Sequence, residues 1–233
     1  MDVEKSYASE QQKLFDEWRM MENHQGKQFI EDGIVNSEVW FSALSQGQPK
    51  ILFVLKEAYG EAYSLSDALR EKGPWGSIWK RVAEWTYGIL HTTEQQIARY
   101  KKLNWAAANE LLSYIAIINL KKSNGTSHSV YDNLKRYAER DACMLRRQSE
   151  LISPDIVICG STFSLLNDAL NLGFDNRSHP SDNWYYWDEV GRLYLDFYHP
   201  ANHYPALLNY YGIASIYQQA LIEKATAQAK ELM

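Results

Sequence analysis

Apolar residues fall into two repeating patterns along this chain, and their alternation predicts its architecture. Short, β-rich, mostly apolar runs occur at 50–56 (KILFVLK), 114–120 (YIAIINL) and 155–159 (DIVIC), and a fourth, alternating strand is predicted at 192–198 (RLYLDFY). Short runs that are apolar at nearly every position are the mark of strands buried on both faces. Between them, apolar residues recur at three- and four-residue spacing, which predicts helices over 4–24, 37–46, 76–90, 93–102, 104–113, 129–152, 161–171 and 204–229. The stretch 57–75, with Gly60, Gly73 and Pro74, reads mostly as loop. Residues 183–198 read as two alternating strands around Glu189-Val190-Gly191.

Strands that alternate with helices imply a parallel sheet covered on both faces. The expected fold is therefore a three-layer α/β/α domain with a central four-stranded parallel sheet over 49–233, preceded by a helical extension over 1–48. In such sheets ligands bind beyond the carboxyl ends of the strands. The polar residues at those ends are Lys56-Glu57, Asn119 to Lys122, Gly160-Ser161 and His199 to Asn202.

Composition narrows the class. With 233 residues, 45% of them hydrophobic, and only 6 prolines, the chain is long and apolar enough to bury a core. It has no run of about 18 apolar residues, so no membrane span is expected. The first residues lack the basic-then-apolar pattern of a signal peptide, and the expected location is cytoplasmic. Charge is uneven. Residues 1–48 hold nine acids against four bases, which accounts for the whole net charge of −5, and these acidic helices are a candidate docking surface for a protein partner. Residues 120–147 hold seven bases against three acids, a basic face of the kind that contacts phosphate.

Cys143 and Cys159 cannot form a four-thiolate site or a disulfide framework. His199 and His203 lie four apart, but Pro200 opposes a helix there and no third ligand accompanies them; neither a metal nor a cofactor is expected. The chain has no GxGxxG, GxxxxGK[ST] or GxSxG, which removes local support for dinucleotide, P-loop and serine-hydrolase chemistry.

The strand-end segments, taken in order, resemble the uracil-DNA glycosylase superfamily over about residues 49–225, most nearly its family 4 branch. FVLKEAYG is similar to that branch's first motif, Gly-Glu-Ala-Pro-Gly, with Glu57, Ala58 and Gly60 matching. Lys56 stands where the motif has its first glycine, and Tyr59 where it has proline. GPWG resembles the segment that carries a base-stacking aromatic, here Trp75, and IINLKK the strand end with the base-reading asparagine, here Asn119, and a lysine at Lys122. SPDIVICGSTFSLL is similar to the proline-started strand and the helix after it, and FYHPAN resembles the second catalytic motif, with His199 in it. The iron–sulfur cluster of family 4 needs four cysteines and is impossible with two.

The resemblance implies hydrolysis of the N-glycosidic bond of uracil or a related base in DNA, single- or double-stranded. Glu57 and His199 would be catalytic; Trp75, Asn119 and Tyr59 would bind the base; Lys121, Lys122 and Asn202 would contact DNA. A carboxylate suits the cation that develops on the sugar, and a preorganised donor suits the negative charge on the leaving base. An amide offers both an acceptor and a donor to uracil's N3–H and O4. The alternative is a non-catalytic module on the same fold that holds a nucleobase or nucleic acid, an alternative that Lys56 and Tyr59 favour.

Overall fold

The computed structural model describes residues 3–43, 46–58, 63–125, 129–174 and 184–231. Among them, nine helices and five strands follow in the order α1 (Val3–Arg19), α2 (Ser37–Ser42), β1 (Ile51–Glu57), α3 (Leu65–Lys72), α4 (Gly76–His91), α5 (Trp105–Leu112), β2 (Ile115–Lys121), α6 (Tyr131–Arg140), α7 (Ala142–Ile152), β3 (Ile156–Gly160), α8 (Phe163–Leu170), β4 (Tyr185–Trp187), β5 (Leu193–Phe197) and α9 (Ala206–Glu231). The strands form one sheet in the order β2-β1-β3-β5-β4. β2, β1, β3 and β5 are parallel and β4 runs antiparallel along β5.

The four parallel strands lie within a residue or so of their predicted positions. The sheet has a fifth strand because the 183–198 hairpin adds its first arm at the edge. Its turn is closed by Asp188, whose Oδ1 accepts from the backbone N–H of Val190 (3.1 Å) and Arg192 (2.8 Å). Three other expectations fail for visible reasons. The predicted helix over 93–102 is an irregular segment along α9, its backbone groups taken up by side chains: Tyr210 donates to the Ala98 carbonyl, and Tyr211 accepts from the Tyr100 N–H. The helix over 129–152 is broken at Asp141 (φ −93°, ψ 4°) into α6 and α7. The 57–75 loop contains α3, capped by Ser64, which accepts from the Asp67 N–H (3.2 Å).

Alternation along each strand divides the core in two. Ile51, Phe53 and Leu55 face α3, α4, α5 and α9 on one side; Leu52 and Val54 face α1, α2, α6, α7 and α8 on the other. Helices α3 to α5 carry the chain from β1 to β2 over the first face, and α6 and α7 return it past β1 to β3 over the second. The strand order thus reverses between β1 and β3, where doubly wound sheets open a crevice at the carboxyl edge. Residues 3–43 belong to this body. Phe15, Trp18 and Phe29 share the second core with the sheet, and residues 28–35 cover the open edge of β2 through bonds such as Ile30 N–H to Lys122 O (2.8 Å) and Ile117 N–H to Gly33 O (2.9 Å).

Candidate active site

At the carboxyl edge, a cavity of about 180 Å³ is lined by Glu57, Trp75, Asn119 and His199, with Leu55, Tyr63 and Trp79 among its walls. At about 30 Å³ per water it has room for one small heterocycle. Strand register explains the convergence. Asn119 lies opposite Leu55 in the parallel pair of β2 and β1, and Glu57 lies opposite Lys121, so all four positions present side chains to the same sheet face. β5 delivers His199 two residues beyond Phe197, again on that face. Gly160, at the end of β3, makes room for the loop. A methyl there would meet Leu55 Cδ2 at 2.8 Å and Pro200 Cδ at 3.3 Å. Tyr59 lies outside the described residues.

Asn119 is buried and its amide is oriented by Asp32. Oδ2 of Asp32 accepts from both the Asn119 backbone N–H (2.7 Å) and Nδ2 (3.1 Å). A carboxylate only accepts, so the amide nitrogen must face Asp32. One Nδ2 hydrogen is spent there, leaving the second and the Oδ1 acceptor as a donor–acceptor pair.

His199 is held by its loop. Its backbone N–H donates to Ser161 Oγ (2.9 Å), and its Nδ1 accepts from the Ala201 N–H (3.1 Å). An accepting Nδ1 means that the neutral ring carries its proton on Nε2. Burial, and then the positive charge of Lys56, lower its pKa from 6.5 to about 4, so the ring is a neutral Nε2–H donor at ordinary pH. Arg81 braces the loop from α4, donating to the carbonyls of Pro200 (2.6 Å) and Asn202 (2.7 Å).

Glu57 has a side chain only 4% exposed and is ion-paired with Lys121 at 2.6 Å. Gly125 lies directly over it, close enough that a Cβ would overlap the carboxyl group, and its N–H bonds to the Ala58 carbonyl (2.8 Å). Trp75, 40% exposed, precedes α4 with its ring 5.9 Å from that of Trp79, forming an aromatic wall.

The three residues expected to contact DNA do other work. Lys122 does not reach the surface. Alternation turns it to the face opposite Lys121, where it is fully buried, ion-paired with Asp32 and 4.9 Å from the centre of the Trp18 ring. Burial lowers its pKa, an effect that Asp32 opposes. Lys121 neutralises Glu57 and lies over the Tyr137 ring. Asn202 spends its side chain within the loop, donating to His199 O (2.8 Å) and accepting from the Tyr204 N–H (3.0 Å). Lys56, by the same alternation, points away from the face that carries Glu57 and is not part of the cavity wall.

Two residues that matter here, Asp32 and Arg81, were not singled out by the sequence. For Asp32 a signal exists. It interrupts the apolar run FIEDGIV, and an acid buried in such a run requires a cation. For Arg81 none does, because its partners are backbone carbonyls.

No protein-family model matches this chain, and no curated protein matches it. No described helix is long and apolar enough to cross a membrane, and the described residues contain no group of three or more His, Cys, Asp or Glu able to hold a metal ion.

Proposed function

We propose that this protein removes a pyrimidine base, uracil or a close relative, from DNA by hydrolysing its N-glycosidic bond, as the uracil-DNA glycosylases it resembles do. The observation that carries the reading is the Asn119 amide, held in one orientation by Asp32, sharing a base-sized cavity with the Nε2–H of His199 and the Glu57 carboxylate.

A base in a strand must leave the stack to reach such a cavity. Asn119 then offers Oδ1 to the base's N3–H and its free Nδ2 hydrogen to O4, a pattern cytosine cannot satisfy. Trp75 offers a face for stacking. As the glycosidic bond breaks, its electron pair leaves with the base, and the His199 Nε2–H donates to O2, where that charge gathers. Glu57 stabilises the positive sugar and takes a proton from the water whose oxygen bonds to the anomeric carbon. The second reading, a base-binding module without chemistry, is favoured by the Glu57–Lys121 ion pair, since the ammonium group reduces the negative charge available to the sugar cation.

The test is single-turnover excision from labelled oligonucleotides bearing one uracil, with protein in excess and abasic sites revealed by alkali. Wild type is expected to generate abasic product. Glu57→Gln and His199→Ala should each slow it by about 100-fold or more with DNA affinity little changed, because the interactions they remove form with transition-state charge. No product at any protein concentration, together with uracil-DNA affinity lost in Trp75→Ala, would establish the binding module instead.

A further inference from the structure

The face that carries the start of α9 and the irregular segment 93–104 has a chemistry that the cavity leaves unused. Residues 95–104 contain Arg99, Lys101 and Lys102 and no acid. All three are exposed, and none is ion-paired within 4.0 Å among the described residues. α9 carries no charged residue before Glu223. Glu84 accepts from the Tyr100 hydroxyl (3.1 Å), and Glu94 lies at the far end of the segment.

Exposed aromatic rings occur at the start of α9 and just before it. Tyr211, 37% exposed, is joined to the segment through its hydroxyl, which accepts from the Tyr100 N–H (3.2 Å). Tyr204 is 54% exposed and Tyr198 38%, their rings 5.1 Å apart. α4 links the segment to the cavity loop, Glu84 bonding Tyr100 on one side and Arg81 bonding the loop at Pro200 and Asn202 on the other. Tyr198 directly precedes His199.

We propose that this face is a track for a single strand of nucleic acid. Arg99, Lys101 and Lys102 contact its phosphates, and unpaired bases stack on Tyr204 and Tyr211 as one nucleotide enters the cavity on the His199 side. Cations alone suit any polyanion. Exposed rings in addition suit bases whose faces are free, which a duplex does not offer and an acidic peptide does not have. The proposal rests on the base-excision reading for what enters the cavity, and its own content is the surface and the strandedness.

The experiment measures fluorescence anisotropy of a labelled oligo-dT, and of the same oligonucleotide paired with oligo-dA, over a range of salt. The proteins are wild type, Arg99→Gln/Lys101→Gln/Lys102→Gln and Tyr204→Ala, all substitutions at exposed positions. Wild type should bind the single strand more tightly than the duplex. The triple variant should lose at least tenfold in affinity at low salt, and its log–log salt slope should fall by about 2, at ~0.7 per phosphate contact. Tyr204→Ala should weaken single-strand binding about tenfold and leave the slope unchanged. Wild-type affinity and slope in the triple variant, or tighter duplex binding, would overturn the proposal. The two readings fail separately. If excision alone is wrong, no protein yields abasic product while affinity still follows the three cations. If the track alone is wrong, the triple variant excises uracil with wild-type KM.

Discussion

His199 illustrates how a single side chain is prepared by its surroundings. Its loop fixes the tautomer, and burial, followed by the Lys56 charge, lowers the pKa from 6.5 to about 4. The sign of the linked effect follows. Between about pH 6.5 and 4 the unfolded chain binds the proton that the folded ring refuses, so this group's contribution to stability is complete above 6.5 and is lost as pH falls toward 4. An NMR titration of the ring is expected to show a midpoint near 4. Lys56→Ala should raise that midpoint but leave it below 6.5, because burial, the larger cause, remains. A wild-type midpoint at 6.5 would remove the neutral donor from the site.

At the scale of elements, the ends of β1 and β2 are tied into one unit. Lys121 holds Glu57 across the strand pair, and the backbone of Gly125 returns to bond Ala58. Gly125 is therefore a packing requirement: a Cβ would take the space of the Glu57 carboxyl. Gly125→Ala is expected to displace that carboxyl and lower single-turnover excision nearly as far as Glu57→Gln, with a melting temperature within a few degrees of wild type. If the variant excises at full rate, the carboxylate seen here is not the one that acts.

For the molecule as a whole, the N-terminal segment is a working part of the domain. Trp18 and Phe15 fill the second core, and Asp32 is the counter-ion of the buried Lys122 and the anchor of Asn119. Removing one partner of a buried pair costs about 3–5 kcal/mol, against a total stability of about 5–15 kcal/mol. The chain 49–233 alone, which loses Asp32 together with α1, should show no cooperative thermal transition by circular dichroism. A cooperative melt with native near-ultraviolet signal would mean that the N-terminal segment is dispensable.

Strands β1, β2 and β3 were legible in the sequence because burial on both faces demands an apolar residue at nearly every position, and β5 was legible from its alternation, both signals local to a few residues. The candidate site was legible in part for a related reason. Glu57, Asn119 and His199 stand just where apolar strands end, and parallel register carries strand ends to a common edge. The partners of those side chains were not legible. Lys121 and Lys122 are adjacent and chemically alike, yet a one-residue alternation sends one to Glu57 and the other to Asp32 in the core. The helix expected over 93–102 yielded to hydrogen bonds from α9, more than a hundred residues away. Periodicity is a property of neighbours in the chain, whereas the pairing of buried charges and the satisfaction of a backbone depend on what the fold brings alongside. That is why element positions could be read in advance and the residue that orients Asn119 could not.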